Sequence, residues 1–512
     1  METVKVGVGA LSIEDVVNVA RYDAPIEITD EALVTMGETR KRVEELASNP
    51  TPVYGISTGF GALAKRHIPA EMRATLQKSL VRSHAAGSGP EVEREVIRAL
   101  NLLRISTLCT GRTGIRPEVA QCYAKLLNAG ITPIVHEYGS LGCSGDLAPL
   151  AHSALVLLGE GRARTKDGTE ITGAEACKAA GFEPIELKEK EGLALINGTD
   201  GMLGQLCLAI DDIRKLVTTA DIATALSLEG LTGTDTVFAA DLQELRPHPG
   251  QAVAAANVLA LVKDSEILAR AAEDFAQNQV QDAYSVRCSP QVAGGVRDTL
   301  SHAITVANNE LAAAVDNPVV ALDGRVTSNG NFHGAPLAYV LDFLAIVTAD
   351  LASISERRTD RFLDPARNRG LHAFLADDPG VDSGHMIAQY TQAAIVSEMK
   401  RNAVPASVDS IPSSAMQEDH VSMGWSAARK LRRNVDGLTR VLAIEILTAA
   451  RAIDMREGKP GVGTGAVVSR LRENVEGPGP DRFLAPDIEN TVQLVQSGEI
   501  VTAASGAVDK LG

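Results

Sequence analysis

Apolar residues recur at helical spacing along most of this chain, and glycine-rich stretches interrupt them. Ser12-Ile13-Glu14-Asp15 is an N-terminal helix signature, followed by Val16, Val17, Val19 and Ala20 as the start of an apolar face. Thr29-Asp30-Glu31 repeats the signal for a helix to about Leu46. Three glycines then break the period in Tyr54-Gly55-Ile56-Ser57-Thr58-Gly59-Phe60-Gly61. Helical spacing returns over Met72 to Ser83 and stops at His84-Ala85-Ala86-Gly87-Ser88-Gly89-Pro90. Further helices are expected over Glu91 to Thr110, Pro117 to Ala129 and Leu150 to Leu158, with a surface hairpin within Gly159 to Pro184. From Gly201 onward the pattern is helix after helix, at about 202–228, 251–275, 288–314, 334–356, 384–402, 421–455 and 489–507. Such lengths exceed the average helix and suit a bundle. The expected fold is mainly α: a long central helical bundle over 201–512, and an N-terminal α-rich region over 1–200 that carries a bare loop at 139–150, packed together as one compact unit.

Composition narrows the function classes. Aromatic residues are only 3% of the 512, which suits closely packed helices better than aromatic-rich strands. With 49 Lys and Arg against 65 Asp and Glu, the net charge of -16 argues against nucleic acid as a partner. The most apolar span, Leu337 to Ile354, contains Asp342 and Asp350 at a spacing that makes one polar stripe, so it is read as an internal helix and no membrane association is expected. Met1 to Lys5 lead into no apolar run, and six cysteines lack any Cys-x-x-Cys pair, which points to reduced thiols in a cytoplasmic protein. No histidine forms His-Glu-x-x-His, so no metal site is expected. Gly461-Val462-Gly463-Thr464-Gly465 lacks the Lys-Ser or Lys-Thr of a phosphate cradle and is read as a connector.

The most distinctive stretch is Gly139-Ser140-Leu141-Gly142-Cys143-Ser144-Gly145-Asp146-Leu147-Ala148-Pro149-Leu150. Ser-Gly-Asp alone reads as a turn with a helix cap. A backbone this bare also permits chemistry on itself. If the amide nitrogen of Gly145 is pressed onto the carbonyl carbon of Cys143, a five-membered ring closes. Loss of two waters then leaves a 4-methylideneimidazol-5-one whose methylene comes from Ser144, and no external cofactor is needed. Elsewhere, Tyr54 on its Gly-rich loop is a packing anchor or a ligand contact, and His84 at a helix end is a cap or a ligand contact. Asn197 is placed to cap the long helix that follows.

The twelve-residue loop resembles the prosthetic-group loop of the aromatic amino acid ammonia-lyases and aminomutases, and the whole chain resembles the histidine ammonia-lyases within that superfamily. Cys143 stands where most members have Ala, and only its backbone enters the ring. The resemblance implies roles residue by residue. Cys143, Ser144 and Gly145 would form the ring, and Tyr54 would remove the β-proton. Arg287, in Gln281-Asp282-Ala283-Tyr284-Ser285-Val286-Arg287, would grip the substrate carboxylate, with Tyr284 and Gln281 beside it. Asn197 would bond near ring and substrate, and Phe332 would pack against them.

Substrate choice rests, by the same resemblance, on His84 and Glu418, because a carboxylate facing the side chain suits an imidazole. Met416 departs from the Asn usual just before Gln417-Glu418. The resemblance therefore implies L-histidine as substrate, trans-urocanate and ammonia as products, and a homotetramer with shared active sites. The rivals are a tyrosine or phenylalanine ammonia-lyase, an aminomutase using the same ring, and an inert helical scaffold whose loop stays uncyclised.

Overall fold

The computed structural model describes residues 2–49, 53–59, 66–278 and 281–512. Phe60 and Gly61 of the expected Gly-rich loop lie outside them. The chain is mainly helical, with only short strands. It divides into two compact units, the first made of Met1–Asp211, Ile304–Asp342 and Pro405–Arg429, the second of Asp212–Ala303, Phe343–Val404 and Lys430–Gly512.

In the first unit, local sequence signals set the helix starts. Ser12 caps Ile13–Tyr22 through a reciprocal capping box with Asp15, and Thr29 caps Asp30–Ser48. The helix Arg94–Cys109 is buried from Val96 to its end, two arginines included. Arg98 is sealed by bonds to the carbonyls of Val19 and Leu127, and Arg104 by bonds to those of Ala194 and Asn197. A cation so buried needs such acceptors. Helix Arg73–His84 packs against Leu147–Leu157 and Glu191–Ile196, which brings three chain segments distant in sequence onto one site. The segment 159–184 holds the expected hairpin, Arg162–Arg164 paired antiparallel with Glu170–Thr172, and also a helix, Gly173–Ala179.

The second unit corrects three expectations. The helix expected over 251–275 is two, Pro249–Leu261 and Glu266–Asn278, separated where Asp264 takes φ +62 and the Ser265 hydroxyl accepts the Leu268 N–H. The helix expected over 489–507 is likewise broken at Gly498, φ +81, into Ala485–Gln496 and Glu499–Ala507. The connector expected at 461–465 instead opens a helix, Val462–Arg472. Its glycines serve close packing: a Cβ on Gly461 would come within 2.6 Å of Val262, and one on Gly463 within 2.7 Å of Leu261. Buried Glu445 accepts from Ser227 at 2.7 Å and from Arg358, tying helical segments of this unit together.

Asp200–Gly230, Ala335–Leu363 and Gly424–Asp454 are the longest helices among the described residues. Ala335–Leu363 is long and apolar enough to cross a membrane, and 61% of its apolar window is buried within the protein. The polar stripe expected on it is split: Asp342 is buried and accepts the Ser407 N–H at 2.7 Å, whereas Asp350 is exposed.

Candidate active site

The first unit holds a half-open cavity of about 470 Å³ whose lining includes Tyr54, His84, Ser144, Asn197, Asn317 and Glu418, with Leu80, Leu147 and Leu193 as apolar wall. Five of the residues singled out in the sequence thus meet in one place. Cys143 and Gly145 flank Ser144 in the same turn.

Three residues of that turn are left-handed, with φ +82 at Gly142, +53 at Ser144 and +81 at Gly145. Gly142 and Gly145 face one another in a bridge, and Gly145 also bridges to Gly198. Glycine is obligatory at Gly145 for space as well as torsion, since a Cβ there would lie 1.9 Å from the Gly198 oxygen. Gly142 is similarly confined by Ser422, at 2.3 Å from such a Cβ.

Asp146 does not cap the helix it precedes. Its backbone N–H donates to Gly198 O at 2.7 Å, and its fully buried carboxyl accepts from Ser140 Oγ and Met202 N. Burial pushes that carboxyl up to about 7, against the pull of the Met202 and Ser140 bonds, and Asp200 nearby raises it further.

His84 is the last residue of its helix, and its Nδ1 bonds the Leu80 carbonyl at 2.9 Å. The capping role is real, and it has a chemical consequence. A nitrogen facing a carbonyl must carry the proton, so Nε2 of the neutral ring is an acceptor. Desolvation lowers the pKa of the ring, with the Leu80 bond and Glu418 acting in the opposite direction.

Glu418 is held by a short bridge. Ser413 and Glu418 exchange backbone hydrogen bonds at 3.0 and 3.3 Å, and Ser413 Oγ donates to Oε2 at 2.8 Å. Between them Ser414, Ala415 and Met416 all take positive φ. Burial pushes the nearby Cys143 thiol up to about 11, with Glu418 adding to the shift. The thiol is therefore protonated and unreactive as a nucleophile near neutral pH.

Asn197 ends the short helix Glu191–Ile196 rather than capping the long one that starts at Asp200. Its Nδ2 donates to Asn317 O at 2.8 Å, while its buried Oδ1 has no hydrogen-bond partner. Asn197 is a residue of the cavity wall, and a ligand N–H would supply the bond that its buried acceptor lacks.

The remaining expected residues do not line this cavity. Phe332 is half-buried in the first unit. Gln281, Tyr284 and Arg287 belong to the second unit, where the Arg287 guanidinium stacks 4.5 Å from the Tyr284 ring centre and its buried Nε has no partner. Sequence reasoning missed Ser413, Asp316 and Asn317, and it missed Lys190, which carried no local signal.

A sequence profile described as aromatic amino acid lyase matches residues 11–473. The chain is 63% identical to the histidine ammonia-lyase of Streptomyces avermitilis over 98% of both proteins. Among solved structures, it resembles histidine ammonia-lyase from Trypanosoma cruzi with a TM-score of 0.90 and 38% identity, covering 99% of this chain and 96% of that one. It also resembles tyrosine aminomutase from Streptomyces globisporus, with a TM-score of 0.93 and 36% identity over 100% of both.

Proposed function

This chain belongs to the aromatic amino acid lyase family, and from that premise we propose that it is a histidine ammonia-lyase, a carbon-nitrogen lyase that eliminates ammonia from L-histidine to give trans-urocanate, the first step of histidine degradation. The observation that carries the reading is the convergence of Ser144, Tyr54, His84 and Glu418 on one cavity. Backbone similarity to a lyase and to an aminomutase is equally high, so fold does not separate the two reactions. Full-length identity to a histidine ammonia-lyase and a carboxylate beside a neutral His84 both favour elimination from an imidazole substrate.

The residues fit a 4-methylideneimidazol-5-one formed from Cys143, Ser144 and Gly145. Two glycines with no room for a Cβ leave the turn bare, and the open Asn197 Oδ1 offers an acceptor at the same wall. Once formed, the group supplies an electrophilic carbon that no ordinary side chain offers. The side chains of the chain supply the rest. Glu418, steadied by Ser413, and the Nε2 acceptor of His84 receive the imidazole of the substrate. Asn197 Oδ1 accepts an N–H. Tyr54 and Glu418 are the two groups able to take the β-proton, and Tyr54 is assigned that task because Glu418 is engaged with the imidazole. As the β C–H bond breaks and its electrons form the new double bond, the C–N bond releases ammonia.

A homotetramer completes the site in this reading, with Arg287 as the carboxylate fork and Tyr284, Gln281 and Phe332 beside it. The six cysteines are free, in keeping with a cytoplasmic enzyme.

The test is to supply L-histidine, L-tyrosine and L-phenylalanine separately, follow conjugated product by ultraviolet absorbance and identify it by mass. Urocanate from histidine alone is expected. Cinnamate, coumarate or a β-amino acid would overturn the substrate assignment. Ser144→Ala is expected to abolish both turnover and the two-water mass deficit of the intact protein.

A further inference from the structure

Lys190 and Asp316 form an ion pair beneath the cavity wall, both side chains wholly removed from solvent. A buried pair of charges is costly to desolvate and offers weak net stabilisation. Neither group reaches the cavity itself. Their neighbours suggest another use. Asp316 Oδ2 takes the Lys190 ammonium, while Oδ1 accepts the Asn317 N–H at 2.7 Å and faces Asn197 Nδ2 at 3.4 Å. The second acceptor for that same Nδ2 is Asn317 O at 2.8 Å.

An amide side chain can present either its NH2 or its oxygen to a neighbour, and the neighbour decides. Here both neighbours of the Asn197 NH2 group are acceptors only, a peptide carbonyl and a carboxylate paired to an ammonium. Turning the amide over would set oxygen against two oxygens. Arg104 fixes the backbone in the same place, donating to Asn197 O at 2.8 Å and to Val315 O at 3.3 Å. The amide of Asn197 therefore has one permitted orientation, and that orientation leaves Oδ1 as the open acceptor.

We propose that Lys190 and Asp316 are positioning residues: the buried ion pair keeps Asp316 a pure acceptor, which locks the Asn197 amide with Oδ1 available to the reacting ligand. Without the ammonium, the Asp316 carboxylate loses the bond that holds Oδ2, and Oδ1 is free to turn away from Asn197. Asn197 then keeps only the Asn317 carbonyl as an acceptor for its Nδ2, and its amide is less firmly held. Burial lowers the pKa of the Lys190 ammonium and Asp316 opposes that shift, in keeping with mutual dependence of the two charges. The inference rests on the elimination reaction proposed above.

The experiment compares Lys190→Met, Asn197→Ala and their combination with the parent enzyme, all acting on L-histidine. Urocanate from the parent and its two-water mass deficit check the underlying reading independently of any variant. Lys190→Met is expected to retain the mass deficit and lose roughly 10-fold to 100-fold in kcat/KM, the scale of one lost hydrogen bond at a reacting group. The loss should divide between kcat and KM as it does in Asn197→Ala, and the combination should be no worse than Asn197→Ala alone.

Activity within about threefold of the parent, additive losses, or loss of the mass deficit in Lys190→Met but not in Asn197→Ala would each overturn the proposal. If Lys190→Met does not fold, Lys190→Gln/Asp316→Asn supplies the test, because an uncharged pair can still present an acceptor to Asn197. That variant is expected to stay within about fivefold of the parent, and impairment equal to Asn197→Ala would count against the mechanism.

Discussion

Ser413 Oγ donates a 2.8 Å hydrogen bond to Oε2 of Glu418, five residues on, across a bridge closed by backbone bonds in both directions. One serine thus sets the direction of the carboxylate that the proposed reaction aims at imidazole. Ser413→Ala should raise KM for L-histidine by roughly five- to tenfold, the equivalent of about 1 kcal/mol for a bond to a charged group, with a smaller effect on kcat. Steady-state kinetics checks this, and an unchanged KM would show that the loop backbone alone holds Glu418.

Tyr54 and Glu418 share the cavity, and their removal should separate base from binding group. Tyr54→Phe should reduce kcat by roughly 100-fold or more with KM little changed, the usual scale for losing a general base. Glu418→Gln should act mainly on KM for histidine. The reverse pattern would transfer the proton-abstracting role to Glu418.

The proposed sharing of sites in a tetramer has a direct consequence. Mixing inactive Tyr54→Phe and Arg287→Ala proteins, then unfolding and refolding them together, should restore measurable activity in hybrids. No recovery, with hybrid formation verified by native mass spectrometry, would place both residues in a site built from one chain.

Met416 occupies a left-handed conformation, φ +67, at an exposed position between Ser413 and Glu418. An L side chain with a long apolar stem is disfavoured there, while Asn is tolerated through local hydrogen bonding. The Asn that the family resemblance leads one to expect at this position therefore has a backbone explanation. Met416→Asn should stabilise the folded loop by about 1 kcal/mol and protect it in hydrogen exchange. Unchanged or faster exchange in the variant would refute the backbone account.

His385 predicts acid sensitivity. Burial, followed by Arg451, Arg482 and Arg472, pushes its imidazole down to about 3, and its Nδ1 bonds Thr448 Oγ1 at 3.0 Å. The unfolded chain takes up a proton near the ordinary value of about 6.5 that the folded chain refuses. Stability is thus fully present above that value and falls as pH drops toward 3, by at most about 1.4 kcal/mol per unit from this group. Urea midpoints measured from pH 7 down to pH 4.5 should fall less steeply for His385→Gln than for the parent. Equal slopes would assign the acid sensitivity to other groups.

Local chemistry was legible in the sequence where a capping or turn pattern records it, though not for Ser413 and Glu418, five residues apart. The capping box of Ser12 and Asp15, the stop at His84 and the bare turn around Ser144 each depend on residues within a few positions. Helix breaks at Asp264 and Gly498 were missed, although Lys263-Asp264-Ser265-Glu266 and Gln496-Ser497-Gly498-Glu499 interrupt the apolar spacing, and in each a single left-handed residue redirects the backbone. The connector expected at 461–465 failed for a related reason: glycine there marks close packing on Leu261 and Val262, not a turn.

By itself, then, the sequence determined a mainly helical protein, the turn proposed to react with itself, and five of the residues that line one cavity, because backbone torsion, capping and apolar period are properties of neighbouring residues. Only the tertiary structure decided that Lys190 pairs with Asp316, more than a hundred positions away, that this pair faces Asn197, and that Ser413 takes Glu418. Those are contacts of desolvated charge and hydrogen-bonding capacity. Such groups find partners by proximity in space, and no periodicity along the chain encodes who meets whom.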